Sequence, residues 1–106
     1  MNGPFQTALR IEATHPALAG HFPGRPVVPG VVLLERVAAA LRDWRGERVE
    51  KLDAKFLQPL LPDEEAVIEL REDGSGIRFT VTRAGGAILA RGTLAAKSHL
   101  AGLTGS

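Results

Sequence analysis

One run of this sequence can be a helix, and the four segments after it cannot. Residues 30–43, GVVLLERVAAALRD, are rich in alanine and leucine and place apolar side chains in almost every direction around a helical axis. That predicts a helix largely surrounded by protein, with Arg36, Arg42 and Asp43 as its polar side and Trp44 and Gly46 where it stops. Beyond it the apolar period falls to two. Leu52, Ala54 and Phe56 alternate with Lys51, Asp53 and Lys55. Ile68 and Leu70 oppose Glu69 and Arg71, and Ile77, Phe79 and Val81 oppose Arg78, Thr80 and Thr82. Ile88, Ala90, Leu94 and Ala96 oppose Arg91, Thr93 and Lys97. The segments EDGSG (72–76) and RAGG (83–86) read as hairpin turns, and QPLLPDEE (58–65) as a proline-bounded bend. A further strand is read over 5–13, ahead of a proline-rich stretch that cannot be a regular helix or a central strand. A single oily helix hides among half-apolar strands only if an antiparallel sheet curls around it, which makes an α+β domain. Such a sheet has edges, and dimerisation is the simplest way to cover one.

At 106 residues the chain is expected to be one domain over 1–98, with a loose tail over 99–106. A net charge of +1 gives no reason to expect nucleic acid as a partner, and the absence of cysteine excludes disulfides and thiolate chemistry. The first ten residues do not read as a signal peptide, and the longest oily stretch is broken by Pro29 and Gly30. No membrane insertion is expected, and a cytoplasmic location is.

The stretch GHFPGRPVVPGVVLLE (20–35) holds one histidine, three glycines and three prolines, then an apolar run ending in a lone glutamate. A neutral imidazole at His21 can accept a proton near neutral pH. A carboxyl group at Glu35, set among Val32, Leu34, Ala38 and Ala39, would be disfavoured in its charged form and able to act as an acid. The amides at the start of the helix, near Gly30, carry the positive end of its dipole and could polarise a carbonyl oxygen. A base, an acid and an oxyanion site together suit removal of a proton α to a thioester while a β-hydroxyl leaves. The bland alternative is a loop histidine that packs and a helix glutamate paired with Arg36 or Arg42. His15 and His99 read as structural or incidental, and no metal spacing follows HPALAGH. DGSG and RAGG lack the context of phosphate loops. Seven basic residues from Arg25 to Lys55 are interleaved with acids. They are either a solvated face or a landing patch for an acidic carrier protein, with Arg25, Arg36, Arg42 and Arg45 as candidate contacts.

The same stretch resembles the signature of the β-hydroxyacyl-acyl carrier protein dehydratases, the FabZ/FabA group, across Gly20, His21, Phe22, Pro23, Gly24, Pro26, Pro29, Gly30 and Glu35. KLDAKFLQPLLPDEEAVIEL (51–70) is similar to the strand–bend–strand segment that follows the helix in that family. The resemblance implies a hot-dog fold and a homodimer, or a larger assembly built from it, whose sites pair the histidine of one subunit with the helix acid of the other. It implies His21 as base, Glu35 as acid, Gly30 as donor to the thioester carbonyl, and Phe22, Pro23, Gly24 and Pro29 as the substrate loop. It implies no metal or nucleotide cofactor, the acyl group riding on the phosphopantetheine of an acyl carrier protein or of coenzyme A. Glutamate rather than aspartate on the helix implies plain dehydration to the trans-2-enoyl product. The short chain resembles dehydratase-like proteins of specialised lipid or aryl polyene pathways, the ApeI-like type, more than the housekeeping enzyme. A hot-dog thioesterase and a non-catalytic acyl- or carrier-binding module are the competing readings.

Overall fold

Pro29 sets where the helix begins. Its φ of −60° and ψ of 144° keep it extended, and the next residue opens the helix. A computed structural model describes residues 3–18, 27–74 and 76–98, and in it α1 runs Gly30–Arg45. The helix exceeds the predicted 30–43 because Trp44 and Arg45 are held by packing and ion pairs. It stops at Gly46, whose φ of 68° is left-handed and whose N–H donates to the Arg42 carbonyl at 2.8 Å.

Among the described residues five strands form one sheet against it: β1 Phe5–Leu9, β2 Glu47–Phe56, β3 Ala66–Asp73, β4 Gly76–Arg83 and β5 Ile88–Ser98. Their order is β1-β3-β4-β5-β2, and every ladder is antiparallel. The helix touches β2 at one edge and β1 and β3 at the other, so the sheet curls about it. This is the hot-dog architecture, a sheet wrapped on one helix. Its core joins Val32, Leu33, Val37, Ala40 and Leu41 of the helix to Leu9, Ile68, Leu70, Ile77, Phe79, Val81, Ala90 and Leu94 of the strands.

The elements differ from the sequence pattern at identifiable points. β1 ends at Leu9, not residue 13, because the Ile11 carbonyl accepts from the Asp63 N–H of the β2–β3 bend instead of from a neighbouring strand. β2 starts at Glu47, four residues early, because a bulge at Glu50 breaks the alternation before Lys51. A second bulge leaves Leu89 between Ala90 and Ile88 opposite β4. It turns Ile88 outward, 39 % exposed, although the alternation places it inward with Ala90. Between β2 and β5 the strands approach so closely that a Cβ on Gly92 would run into the Asp53 carbonyl and lie 2.7 Å from the Phe79 ring.

The helix is not surrounded on all sides. Val31, Glu35, Arg36, Arg42 and Asp43 are exposed, because they project from the face opposite the sheet. Glu35 is therefore open in the single chain, and Leu34, Ala38 and Ala39 beside it are only half-buried, contrary to the dehydrated carboxyl expected from its neighbours. Ser75 of the turn EDGSG and the tail 99–106 lie outside the described residues.

Candidate active site

The first helical turn opens on a cavity. The amides of Gly30 and Val31 have no intrahelical acceptor, whereas those of Val32 and Leu33 turn back to the Pro29 carbonyl at 3.0 and 3.3 Å. No side chain caps this end. Beside it lies a groove of about 480 Å³. One wall is Val27, Val28, Pro29, Gly30 and Leu33; the other is Phe56, Leu57, Gln58, Pro59 and Leu60. The lining is almost wholly apolar, and it includes Gly30, the first residue of α1, whose N–H stands at the positive end of the helix dipole. That geometry suits an acyl chain with a carbonyl at its head.

Gly30 is shaped by what it faces. A Cβ there would lie 2.9 Å from Cζ of Phe56, so any larger residue would displace the ring from the helix start. Phe56 itself is 50 % exposed and forms one lip of the groove.

The far wall is tied down from several sides. The Leu89 carbonyl, freed by the bulge, accepts from the N–H groups of both Leu57 and Gln58, at 2.8 and 3.2 Å. The Val28 N–H donates to the Leu60 carbonyl at 2.8 Å and bridges the two walls. Glu64 accepts from the Leu61 N–H at 3.0 Å and pairs with Arg83. Hydrogen bonding from Arg83, then from the Leu61 amide, holds the Glu64 carboxyl below its ordinary range against the opposing effect of burial.

Of the residues predicted for chemistry, the described structure places Pro29, Gly30 and Glu35 on one short segment, with Pro29 and Gly30 in the groove and Glu35 on the open face of the helix. His21, Phe22, Pro23, Gly24 and Arg25 lie outside the described residues. Of the basic candidates, Arg36 and Arg42 are exposed. Arg45 is not open to a partner in the same way. It bonds Glu72 at 2.6 Å, approaches Glu47 at 4.0 Å, and lies 4.1 Å above the Trp44 ring. His15 is engaged locally, its Nδ1 accepting from the Ala17 N–H at 3.0 Å. The second wall of the groove is absent from the residue-by-residue expectation. Its signal is present in FLQPLLP, where exposed apolar residues flank prolines instead of alternating with charge.

The family profile described as "ApeI-like: ApeI dehydratase" matches residues 2–93. The chain belongs to the ApeI-like dehydratase family. A 3-hydroxyacyl-[acyl-carrier-protein] dehydratase FabZ of Cronobacter sakazakii is 30 % identical over 111 residues, covering 92 % of this chain and 72 % of the relative. The FabZ of Polynucleobacter necessarius subsp. necessarius is 36 % identical over 89 residues, covering 71 % of this chain and 60 % of the relative. The chain thus spans only about three fifths of that relative's length. Among solved structures, the dehydratase heterocomplex ApeI:P from Xenorhabdus doucetiae superposes with a TM-score of 0.74 at 20 % identity, covering 88 % of this chain and 86 % of that one. At that identity the superposition speaks for the fold of this ApeI-like chain, and the family assignment rests on the sequence matches.

Proposed function

We propose that this ApeI-like protein dehydrates 3-hydroxyacyl thioesters to trans-2-enoyl thioesters. The observation that carries the reading is an apolar groove at the start of α1, the helix end at which the amides of Gly30 and Val31 have no intrahelical acceptor. The acyl chain lies between Leu33 and Leu60, with its thioester oxygen at the Gly30 N–H. His21 takes a proton from the α-carbon. Charge gathers on the thioester oxygen, where the amide stabilises it. The electron pair then forms the α–β double bond as the β-hydroxyl leaves, protonated by Glu35, as water. One proton moves to the imidazole and one leaves the carboxyl, so the elimination balances.

The acid comes from Glu35 of the partner subunit in a homodimer. Support lies in the single chain, where Glu35 and Val31 are exposed, the latter by 64 %, and where, among the described residues, β2 ends the sheet with one side of its ladder unpaired. A second copy laid against β2 extends the sheet and covers the helix face. The substrate is carried on the phosphopantetheine of an acyl carrier protein or of coenzyme A. Arg25, Arg36 and Arg42 supply the cationic contacts for an acidic carrier, with no resident cofactor and a cytoplasmic setting. Among the described residues no helix is long and apolar enough to cross a membrane.

The test is turnover of 3-hydroxyacyl thioesters with product identification by mass, alongside the mass of the assembly in solution. Enoyl thioester and water from a dimer are expected. Released thiol would assign a thioesterase instead, and binding with no turnover would leave an acyl-binding module.

A further inference from the structure

Arg83 is the last residue of β4, and it reaches three parts of the bend that walls the groove. Its Nε donates to Glu64 Oε2, and its Nη2 donates to Glu64 Oε1 at 3.3 Å. Its Nη1 donates to Gln58 Oε1 at 3.0 Å, and its Nη2 also donates to the Pro59 carbonyl at 2.9 Å. Gln58 and Pro59 both line the groove. Glu64 in turn holds the Leu61 amide, one residue past the end of that wall. A planar guanidinium with five donors can satisfy this set at once, and an ammonium cannot. Main-chain bonds to Leu89 and Val28 hold the backbone of Leu57, Gln58 and Leu60, so what Arg83 adds is control of the Gln58 side chain and the Pro59 carbonyl and not of the fold as a whole.

We propose that Arg83 is the positioning residue that gives the acyl groove its chain-length preference, by holding the Gln58–Pro59 segment against the space that the distal part of a long acyl chain enters. The proposal rests on the reading of that groove as the acyl site. A short chain ends near Gly30 and Leu33 and does not reach the segment; a medium chain must. Loss of the clamp therefore weakens long ligands selectively. A merely structural arginine would lower stability and leave the ratio of long to short affinities unchanged.

The probes are butyryl- and decanoyl-pantetheine, which lack the β-hydroxyl and cannot be dehydrated, with binding measured by calorimetry on the full chain. Wild type is expected to prefer decanoyl by at least about tenfold. Arg83→Met should cut that preference to below about threefold with butyryl affinity held within threefold, and Arg83→Lys should fall between. An unchanged ratio in Arg83→Met, or a wild type with no length preference, overturns the proposal. If Arg83→Met does not fold, Arg83→Lys decides, because it keeps the charge beside Glu64 and loses the fork. Wild-type dehydration of 3-hydroxydecanoyl-pantetheine is measured in parallel. Length-selective binding without enoyl product would sink the dehydratase reading and leave the role of Arg83 standing.

Discussion

The two ends of the single helix are built on opposite plans. At the C-terminal end three residues tie the helix down: Trp44 stacks on Phe5 with ring centroids 6.0 Å apart, Arg45 spans Trp44 and Glu72, and Gly46 returns an amide to Arg42. At the N-terminal end no side-chain hydrogen bond caps the first turn, a glycine stands where a side chain would displace Phe56, and an apolar groove adjoins the first residue of the helix. A helix start left without partners is a stability loss that a purely structural helix would avoid with a serine or aspartate cap. The contrast teaches that the closed end anchors the helix on the sheet, which leaves the open end to border the groove.

Breaking the open end should remove activity and spare the fold. His21→Ala should lower turnover by on the order of 1,000-fold, and Glu35→Gln by about 100-fold, as loss of a general base or acid does, with thermal midpoints unchanged. Near-wild-type rates in Glu35→Gln would reduce that carboxyl to a surface group. Breaking the closed end should do the reverse. Trp44→Ala removes a half-buried ring that touches Phe5 and Arg45, and chemical denaturation should show a loss of about 2 kcal/mol with kcat retained. Gly46→Ala forces a Cβ into left-handed backbone and should cost about 1 kcal/mol, again without a kinetic effect. The smallest effect tests the wall of the groove. Because the Glu64 carboxyl is held below its ordinary range when folded, it adds stability that is complete above the unfolded value. That stability is lost as pH falls through the depressed one. Glu64→Gln should therefore flatten the fall of the thermal midpoint below about pH 4.5, read by scanning calorimetry.

Much of the fold is legible in the sequence because it is written in local periodicity. The change from a helical to a two-residue period after Trp44, the Pro29–Gly30 start and the glycine turns all specify their elements within a few residues. What escapes is set by contacts distant in the chain. The early start of β2 is masked by the Glu50 bulge and becomes visible only when Val49 is seen opposite Ala96. Ile88 faces outward because of a bulge whose reason lies in the bend 31 residues earlier, where Leu57 needs the Leu89 carbonyl. The openness of Glu35 is missed for a different reason. An all-round apolar helix reads as enclosed, but the sheet of one chain covers only one of its faces. In the site, Gly30 and Glu35 stand out in the sequence because a glycine at a helix start and a lone acid in an oily run are unusual. The clamp of Arg83 is not, since it joins residues 19 to 25 apart through a bend that carries no periodic signal.

The shared carbonyl of Leu89 has a further consequence. The bend is moored by main-chain atoms at both ends, to Leu89 and to Val28, and such moorings are indifferent to which side chains sit between them. Residues 56 and 57, both exposed, are thus interchangeable parts on a fixed bracket. A combinatorial library restricted to those two positions should yield well-folded proteins that differ in the ligands they accept, with new specificities reached by swapping fittings and no re-engineering of the frame.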